Sequence, residues 1–241
     1  MEYGVRQILI LLLLFFTFSA NASLKIAVAS NFKVTLSDIT KLYAQKSDQK
    51  VLISSGSTGI LYNQITHGAP FDLFLSADKQ RAELIEQSAV GVSGSRFTYA
   101  RGKLAFWLPG SMTEVNQSSL IDFEGRVAIA NPQLAPYGLA TKQALQTFNL
   151  WHKFSYIKGN NIAQVYQFID TGNIGAGFVA HTLLLQNKAT KYFLLPTDSY
   201  QPILQQGVML SASKNKKAAQ QFIDFLQSDS IQHFIRSKGY L

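Results

Sequence analysis

The chain has 241 residues, no cysteine and a formal net charge of +8 at pH 7. The lack of cysteine excludes a disulfide framework and a lipid anchor attached through cysteine. Basic side chains are scattered along the chain, and only Lys214, Lys216 and Lys217 lie close together. This distribution predicts a solvated basic surface rather than a nucleic-acid site, which would need an arginine-rich or aromatic-interleaved patch.

Residues 1–22 have the pattern of a secretory signal. Arg6 is followed by an apolar run at 8–16 and a softer stretch that ends in Ala20, Asn21 and Ala22, an A-x-A cleavage pattern. The strictly apolar run has nine residues, whereas a membrane-spanning helix needs roughly 20. We therefore expect cleavage before Ser23 and a soluble periplasmic protein.

Strands and helices then alternate. Leu24–Ala29 is a short apolar run with β-branched residues and predicts a strand, and 32–45 has helical spacing. The alternation continues through a strand at 51–53, a glycine-containing turn at 54–59, a helix to His67, a strand at 71–75 and a helix at Lys79–Gln87. This order is typical of a mostly parallel, doubly wound sheet.

A second alternating set follows an extended, aromatic-rich run at 96–109. It has predicted strands at 127–130, 154–158, 174–180 and 192–195, with helices at 137–148, at Ile162–Asp170 and from His181. A further extended segment at 203–212 precedes two terminal helices at 214–227 and 229–238. The sequence therefore predicts an α/β protein with two βα units.

Three strand-to-helix junctions, at 28–31, 54–59 and 131–138, carry small hydroxyl residues or glycine. Open α/β sheets bind ligands outside the carboxyl ends of their strands. A helix N-terminus has unpaired N–H groups and a partial positive charge, so it can bind an anion without lysine or arginine. A single Ser or Thr there can equally be an ordinary N-cap, but recurrence in both sets favours an anion site.

Catalytic and metal-binding motifs are absent. The 56–59 turn does not match a Walker loop, and no G-x-S-x-G elbow occurs. Asp72 and Asp78 stand at the two ends of a predicted strand, where helix capping or a structural role is expected. Surface or capping roles are also expected for four histidines that lack metal-ligand spacing: His67, His152, His181 and His233.

Several motifs together resemble a known family. The most specific is G-A-P-x-D-x-F-x-S-A-D at 68–78, and the others lie at 26–30, 57–65, 128–132, 135–140, 175–179 and 234–240. Over nearly the whole mature chain, the sequence resembles the molybdate-binding component of molybdate ABC importers, which are type II periplasmic binding proteins. The resemblance implies two doubly wound lobes joined by a two-stranded hinge. The expected division is a signal at 1–22, lobe I at 23–99 and 208–241, and lobe II at 100–207.

The resemblance also implies a ligand site in the interlobe cleft, built from hydroxyl and backbone N–H donors. By position, Ser30 supplies its hydroxyl and its backbone N–H. Thr58 supplies a hydroxyl, with Ser57 as the neighbouring alternative, and Tyr137 and Ile162 supply backbone N–H groups. The implied ligand is the oxyanion molybdate or tungstate, with no cofactor, no direct metal-cation ligand and no catalysis. The implied partner is a membrane permease, and the chain is expected to be a monomer.

One position departs from the family pattern, because Ala180 stands where the family often has a tyrosine donor. The hydroxyl of Tyr137 or Thr182 is a candidate replacement. Three alternatives stay open at this point: a site for another oxyanion or a small organic anion, an enzyme on the same scaffold, and a periplasmic sensor.

Overall fold

The computed structural model describes residues 23–241, so the predicted signal at 1–22 lies outside the described residues. The first sheet has the strand order β2-β1-β3-β10-β4. Its strands are β1 (Leu24–Ala29), β2 (Val51–Gly56), β3 (Leu73–Ser76), β4 (Phe97–Gly102) and β10 (Ile203–Met209). Strand β10 runs antiparallel to both of its neighbours, and the other strands share one direction.

The second sheet has the order β7-β6-β8-β5-β9. Its strands are β5 (Leu104–Trp107), β6 (Arg126–Ala130), β7 (Ser155–Gly159), β8 (Gly177–Ala180) and β9 (Tyr192–Leu194). Here β5 is the reversed strand. The predicted fold class of two α/β lobes is confirmed, although each sheet is mixed rather than mostly parallel.

Helices connect the strands and cover the sheets. The helices are α1 (Lys33–Tyr43), α2 (Thr58–Thr66), α3 (Lys79–Gln87), α4 (Gln117–Asp122), α5 (Pro136–Thr147), α6 (Ile162–Asp170), α7 (His181–Gln186), α8 (Lys216–Gln227) and α9 (Asp229–Ser237). A short 3-10 turn, Ser30–Phe32, precedes α1. We call the first sheet with α1, α2, α3, α8 and α9 the first lobe, and the second sheet with α4 to α7 the second lobe.

Each lobe has its own apolar core. In the first lobe, one face of the sheet packs against α1, α8 and α9, with Leu36, Phe222 and Ile235 buried there. The other face packs against α2 and α3 through Leu61 and Ile85. A separate buried cluster fills the second lobe. Since apolar burial is the main stabilising contribution in a chain without disulfides, these cores hold the two lobes in shape independently.

The chain changes sheets within the aromatic-rich run that was predicted as one extended segment. Strands β4 and β5 are separated only by Lys103, yet they belong to different sheets. The chain returns to the first sheet between β9 and β10. These two crossings lie beside each other, and the cleft between the lobes opens next to them. None of the helices within residues 23–241 is long and apolar enough to cross a membrane.

Candidate functional site

All five residues predicted for the site line one small cavity between the lobes. The empty space there, part of it open to solvent, is about 190 Å³. The lining residues are Ala29, Ser30, Asn31, Gly56, Ser57, Thr58, Ala77, Ala135, Pro136, Tyr137, Asn161 and Ile162. They follow the carboxyl ends of β1, β2, β3, β6 and β7, so strands of both sheets deliver them to the same cleft.

Four helical N-termini meet at this cavity. They are the 3-10 turn from Ser30 and the starts of α2 at Thr58, α5 at Pro136 and α6 at Ile162. The first turn of each has backbone N–H groups without intrahelical partners, and the aligned peptide dipoles add partial positive charge. None of the lining residues is charged. The cavity is therefore suited to an anion held by neutral donors.

Ser30 and Thr58 both have hydroxyls that are free to donate. Among the described residues, the Ser30 hydroxyl has no hydrogen-bond partner, although the residue is only 8% exposed. The Thr58 hydroxyl accepts a hydrogen bond from the Ala77 backbone N–H at 3.1 Å. This bond uses an oxygen lone pair and leaves the hydroxyl proton available.

The Ser57 hydroxyl differs from that of Thr58, because it donates its proton to the Leu134 carbonyl in the second lobe. Ser57 is the N-cap residue of α2, but its side chain makes no capping bond. The two neighbouring hydroxyls that sequence reasoning kept as alternatives thus have different partners. Thr58 is the one whose proton is not already bound within the protein.

Sequence reasoning missed Asn31 and Asn161 among the lining residues. Asn161 is the N-cap of α6 and accepts a hydrogen bond from the Gln164 backbone N–H at 3.0 Å. The Asn31 side chain donates to Gln205 Oε1 at 2.9 Å, which ties the start of the 3-10 turn to β10. The position of Asn31, directly after Ser30 at a strand end, was a signal that could have placed it in the site. Its hydrogen bond to the distant Gln205 could not be predicted from any local sequence pattern.

Behind the cavity lies a buried hydrogen-bond network centred on Gln205. Gln205 Oε1 accepts from the Tyr99 hydroxyl at 3.1 Å, and Gln205 Nε2 donates to the Tyr137 hydroxyl at 3.3 Å. The Tyr240 hydroxyl donates to the Asn31 carbonyl at 3.0 Å. Burial raises the pKa of Tyr99 and Tyr137 well above 10 and the pKa of Tyr240 to about 12. All three tyrosines are therefore neutral at ordinary pH.

The structure also places the two hydroxyls considered as replacements for the tyrosine missing at Ala180. The Tyr137 hydroxyl lies against Gly102 and Gln205 at the crossing between the lobes. Thr182 does not line the cavity, and its hydroxyl, although close to Tyr240, has no hydrogen bond of ordinary geometry. The Tyr137 hydroxyl is thus bound to Gln205, and the Thr182 hydroxyl belongs to a residue outside the cavity lining.

The remaining sequence candidates have structural roles. Asp78 is the N-cap of α3, accepting from the Arg81 backbone N–H at 2.8 Å. Asp72 is buried and accepts from the Lys25 backbone N–H and the Ser213 hydroxyl, both at 2.7 Å. His181 was expected at the surface but is 7% exposed. Within residues 23–241, no group of three or more His, Asp or Glu residues could hold a metal ion.

A larger cleft of about 1050 Å³ lies beside the cavity, near the returning strand. Leu139, Pro202 and Ile203 give it an apolar wall, and its charged lining residues are Asp78, Glu83 and Lys79, so that the lining has a net negative charge. Negative side chains oppose an anion by direct repulsion. The smaller cavity is therefore the better anion site, although the larger cleft has more space.

Comparison with known proteins agrees with this geometry. The family model described as bacterial extracellular solute-binding protein matches residues 24–241. The molybdate-binding protein ModA of Azotobacter vinelandii is 38% identical over 226 residues, covering 91% of this chain and 90% of that protein. ModA of Rhodobacter capsulatus is 36% identical, covering 89% of this chain and 86% of that protein.

Solved structures give the same result. The Azotobacter vinelandii periplasmic molybdate-binding protein superposes with a TM-score of 0.87 at 34% identity, covering 91% of this chain and 99% of that one. The sulfate-binding protein SubI of Mycobacterium tuberculosis shares the fold alone, with a TM-score of 0.73 at 11% identity, covering 90% of this chain and 86% of that one. The chain therefore belongs to the bacterial extracellular solute-binding proteins, in the same family as the ModA proteins.

Proposed function

We propose that the chain is the periplasmic molybdate-binding component of an ABC importer. The observation that carries this proposal is the uncharged interlobe cavity on which four helical N-termini converge. The family membership and the names of the relatives at 36% and 38% identity support molybdate as the anion. Tungstate, which has the same tetrahedral shape and charge, is proposed as a second ligand.

The proposed donors come from both lobes. Ser30 and Thr58 donate through their hydroxyls, and the backbone N–H groups of Asn31, Tyr137 and Ile162 complete the set. Tyr137 and Ile162 lie in the first turns of α5 and α6, where N–H groups have no intrahelical partner. A dianion that bridges these donors would join the two lobes, so binding and closure are one process.

Selectivity in such a site comes from size and donor geometry. A dianion in a closed cleft leaves its water shell, so each oxygen needs a fixed donor, and each unpaired group costs about 1–3 kcal/mol. A smaller tetrahedral anion such as sulfate could not reach donors of both lobes at once. No bond is made or broken in this scheme, and it needs no cofactor and no catalytic residue.

The cellular setting follows from the same proposal. The signal at 1–22 would deliver the chain to the periplasm, and the closed monomer would be the form that a membrane permease binds. A permease can distinguish the liganded protein because closure brings surfaces of both lobes into one face.

Ala180 favours one alternative, a site reshaped for a different anion. The family's tyrosine donor is absent there, the Tyr137 hydroxyl already accepts a hydrogen bond from Gln205, and Thr182 does not line the cavity. A cleft with fewer donors from the second lobe suits an anion with fewer acceptor oxygens or a small organic anion. Competition between anions separates the two candidates.

The test uses the full chain, expressed with its own N-terminus and recovered from the periplasmic fraction. Intact mass should show cleavage before Ser23. Calorimetric titration with molybdate, tungstate, sulfate, phosphate and small organic anions should give one-to-one binding of the first two only. Saturation at about 100 times the dissociation constant should add about 2.7 kcal/mol to the free energy of unfolding. Binding of another anion in place of molybdate would support the reshaped site, and silence to all anions would overturn both.

A further inference from the structure

Two consecutive carbonyls of the second lobe are held by donors of the first lobe. The Gly59 backbone N–H donates to the Leu134 carbonyl at 2.8 Å, and the Ser57 hydroxyl donates to the same oxygen. The Arg81 guanidinium donates from Nη2 to the Gln133 carbonyl at 2.8 Å. Three donors on α2 and α3 thus hold the loop that precedes α5.

Most of these contacts lie outside the cavity, and only Ser57 belongs to both. Gly59, Arg81, Gln133 and Leu134 do not line it, and the Arg81 side chain is anchored from behind. Its Nη1 lies 2.5 Å from Asp78 Oδ2, in an ion pair whose side chains are only about one-fifth exposed. A charge-assisted bond of this kind fixes the direction of the guanidinium. The donors are therefore already aimed at the second lobe.

The N-terminus of α2 is shared between the cavity and the second lobe. Thr58 faces the cavity, whereas the next residue, Gly59, gives its N–H to Leu134. Because the first-turn N–H groups of a helix need partners from elsewhere, opening the cleft would return the Gly59 N–H and the Leu134 carbonyl to water. Closure and the pairing of these groups are coupled.

We propose that Ser57, Gly59 and Arg81, with the carbonyls of Gln133 and Leu134, form a latch that keeps the lobes closed and sets the rate of anion release. The Ser57 hydroxyl is then part of the latch and does not bind the anion. The link to release rests on the proposed function, whereas the link to closure does not.

Gly59 permits a test that separates closure from folding. A Cβ at this position would lie 2.9 Å from the Leu134 carbonyl oxygen and 3.2 Å from its Cα, both backbone atoms of the opposite lobe. It would also lie 3.3 Å from Arg81 Nη2. In the first lobe alone, alanine is the better helix former. Gly59→Ala should therefore obstruct closure while preserving or raising the thermal stability of the ligand-free protein.

The experiment compares Gly59→Ala and Arg81→Met with two matched controls. Gly175→Ala adds a Cβ with no atom within 4 Å. Arg96→Met removes an arginine of the first lobe that pairs with Glu86 and Gln206 of the same lobe. The molybdate release rate is measured by stopped-flow tryptophan fluorescence. We expect it to rise about three- to tenfold in each latch variant, the effect of losing one net hydrogen bond, and to stay unchanged in the controls.

Small-angle X-ray scattering of the ligand-free protein tests lobe closure without any anion. The latch variants should have a larger radius of gyration than the native chain and the controls. If native protein binds molybdate but both latch variants release it at the native rate, the latch is refuted. If native protein binds no molybdate, the proposed function fails, and an unchanged radius of gyration in both variants would then refute the latch as well.

Discussion

Thr58 and Ser57 are adjacent hydroxyl residues with opposite hydrogen-bond roles. The Thr58 hydroxyl accepts from Ala77 N–H, and Ser57 donates to Leu134. A carbonyl can only accept a hydrogen bond, so Ser57 has no proton left for an anion in the closed protein. Two residues of one loop thus serve the ligand and the lobe contact separately.

Replacing Thr58 tests the donor role directly. We expect Thr58→Val to weaken molybdate binding about 10- to 100-fold, since a hydrogen bond to a charged group contributes about 1.5–3 kcal/mol. The Ala77 N–H also loses its acceptor, which should lower the free energy of unfolding by about 1–3 kcal/mol. Thr58→Ser keeps the hydroxyl and should retain most of the molybdate affinity and most of the free energy of unfolding. Calorimetry and chemical denaturation measure the two effects, and equal affinities for the two variants would exclude Thr58 as a donor.

Tyr137 also lines the cavity, but its hydroxyl is bound to Gln205 in the network behind it. Tyr137→Phe should lower the free energy of unfolding by about 1 kcal/mol, because Gln205 Nε2 loses its acceptor. Molybdate affinity should stay at the native value, since the backbone N–H is unchanged. A clear loss of affinity, measured by calorimetry, would show that the hydroxyl serves the ligand after all.

Local sequence signals indicate positions at strand ends and helix starts but not hydrogen-bond partners, and the choice of the five site residues followed from the family resemblance. Ser30, Ser57, Thr58, Tyr137 and Ile162 all follow strand ends or begin helices, and local signals reveal this. Their hydrogen-bond partners are long-range. Asn31 and Gln205, for example, are 174 positions apart, and Ser57 and Leu134 are 77 apart. No local pattern carries such pairings, which depend on how the two lobes meet.

At the scale of elements, a side-chain cap marked the start of two predicted helices, whereas α4, which Asn116 caps in the same way, was not predicted from the sequence. The predicted bounds of α3 and α6 match the structure, because Asp78 and Asn161 cap them through their side chains. The split between β4 and β5 leaves no local signal, since both strands read as one extended run, and the expected lobe boundary at 99/100 came from the family resemblance alone. The two strands are distinguished only by their partners, because β4 pairs with β10 in the first sheet and β5 pairs with β8 in the second.

Helix α7 also contacts the first lobe, but fewer of its buried polar atoms are hydrogen-bonded than those of the latch. Gln186 Nε2 donates to the Thr35 hydroxyl of the first lobe at 2.9 Å. Three buried polar atoms on the same helix make no hydrogen bond of ordinary geometry within the described residues, namely His181 Nδ1, Thr182 Oγ1 and Gln186 Oε1, although Thr182 is close to Tyr240 and His181 is close to the Gly239 backbone. Burying an unpaired polar atom is unfavourable, so this face opposes closure and the latch favours it.

Thr182→Val should therefore strengthen molybdate binding. Valine keeps the shape of threonine and removes a fully buried hydroxyl that lacks a partner, so closure no longer has to desolvate it. We expect affinity to rise about fivefold, corresponding to about 1 kcal/mol. Calorimetry of the two proteins measures the difference. A loss of affinity would indicate that Thr182 donates in the closed protein, to Tyr240 or to the ligand.

For the molecule as a whole, the site depends on contacts between distant parts of the chain. The C-terminal residues pair with β4 through Arg101 and Leu241, and Tyr240 reaches Asn31 beside the cavity. Tyr99, Tyr137 and Tyr240 lie within this region, with 1%, 1% and 3% of their surfaces exposed. Their hydroxyls make the crossing between the lobes sensitive to ionisation.

This burial predicts the pH dependence of stability. The folded pKa of Tyr240 is raised to about 12, and the folded pKa values of Tyr99 and Tyr137 are raised well above 10, all mainly by burial. A group with a raised folded pKa contributes stability that is complete below its unfolded pKa and is lost as pH rises through the folded value. The free energy of unfolding should thus fall above pH ~10, by about 1.4 kcal/mol per pH unit for each tyrosine.

Urea denaturation across alkaline pH, followed together with phenolate absorbance, measures this loss. We expect the buried tyrosines to ionise only as the protein unfolds, so that absorbance and loss of structure coincide. Tyr240→Phe should reduce the steepness of the decline by about one tyrosine's share, because phenylalanine cannot ionise in either state. An unchanged slope in that variant, or early ionisation in the folded protein, would show that the Tyr240 hydroxyl is open to water and that the crossing between the lobes is looser than its hydrogen bonds indicate.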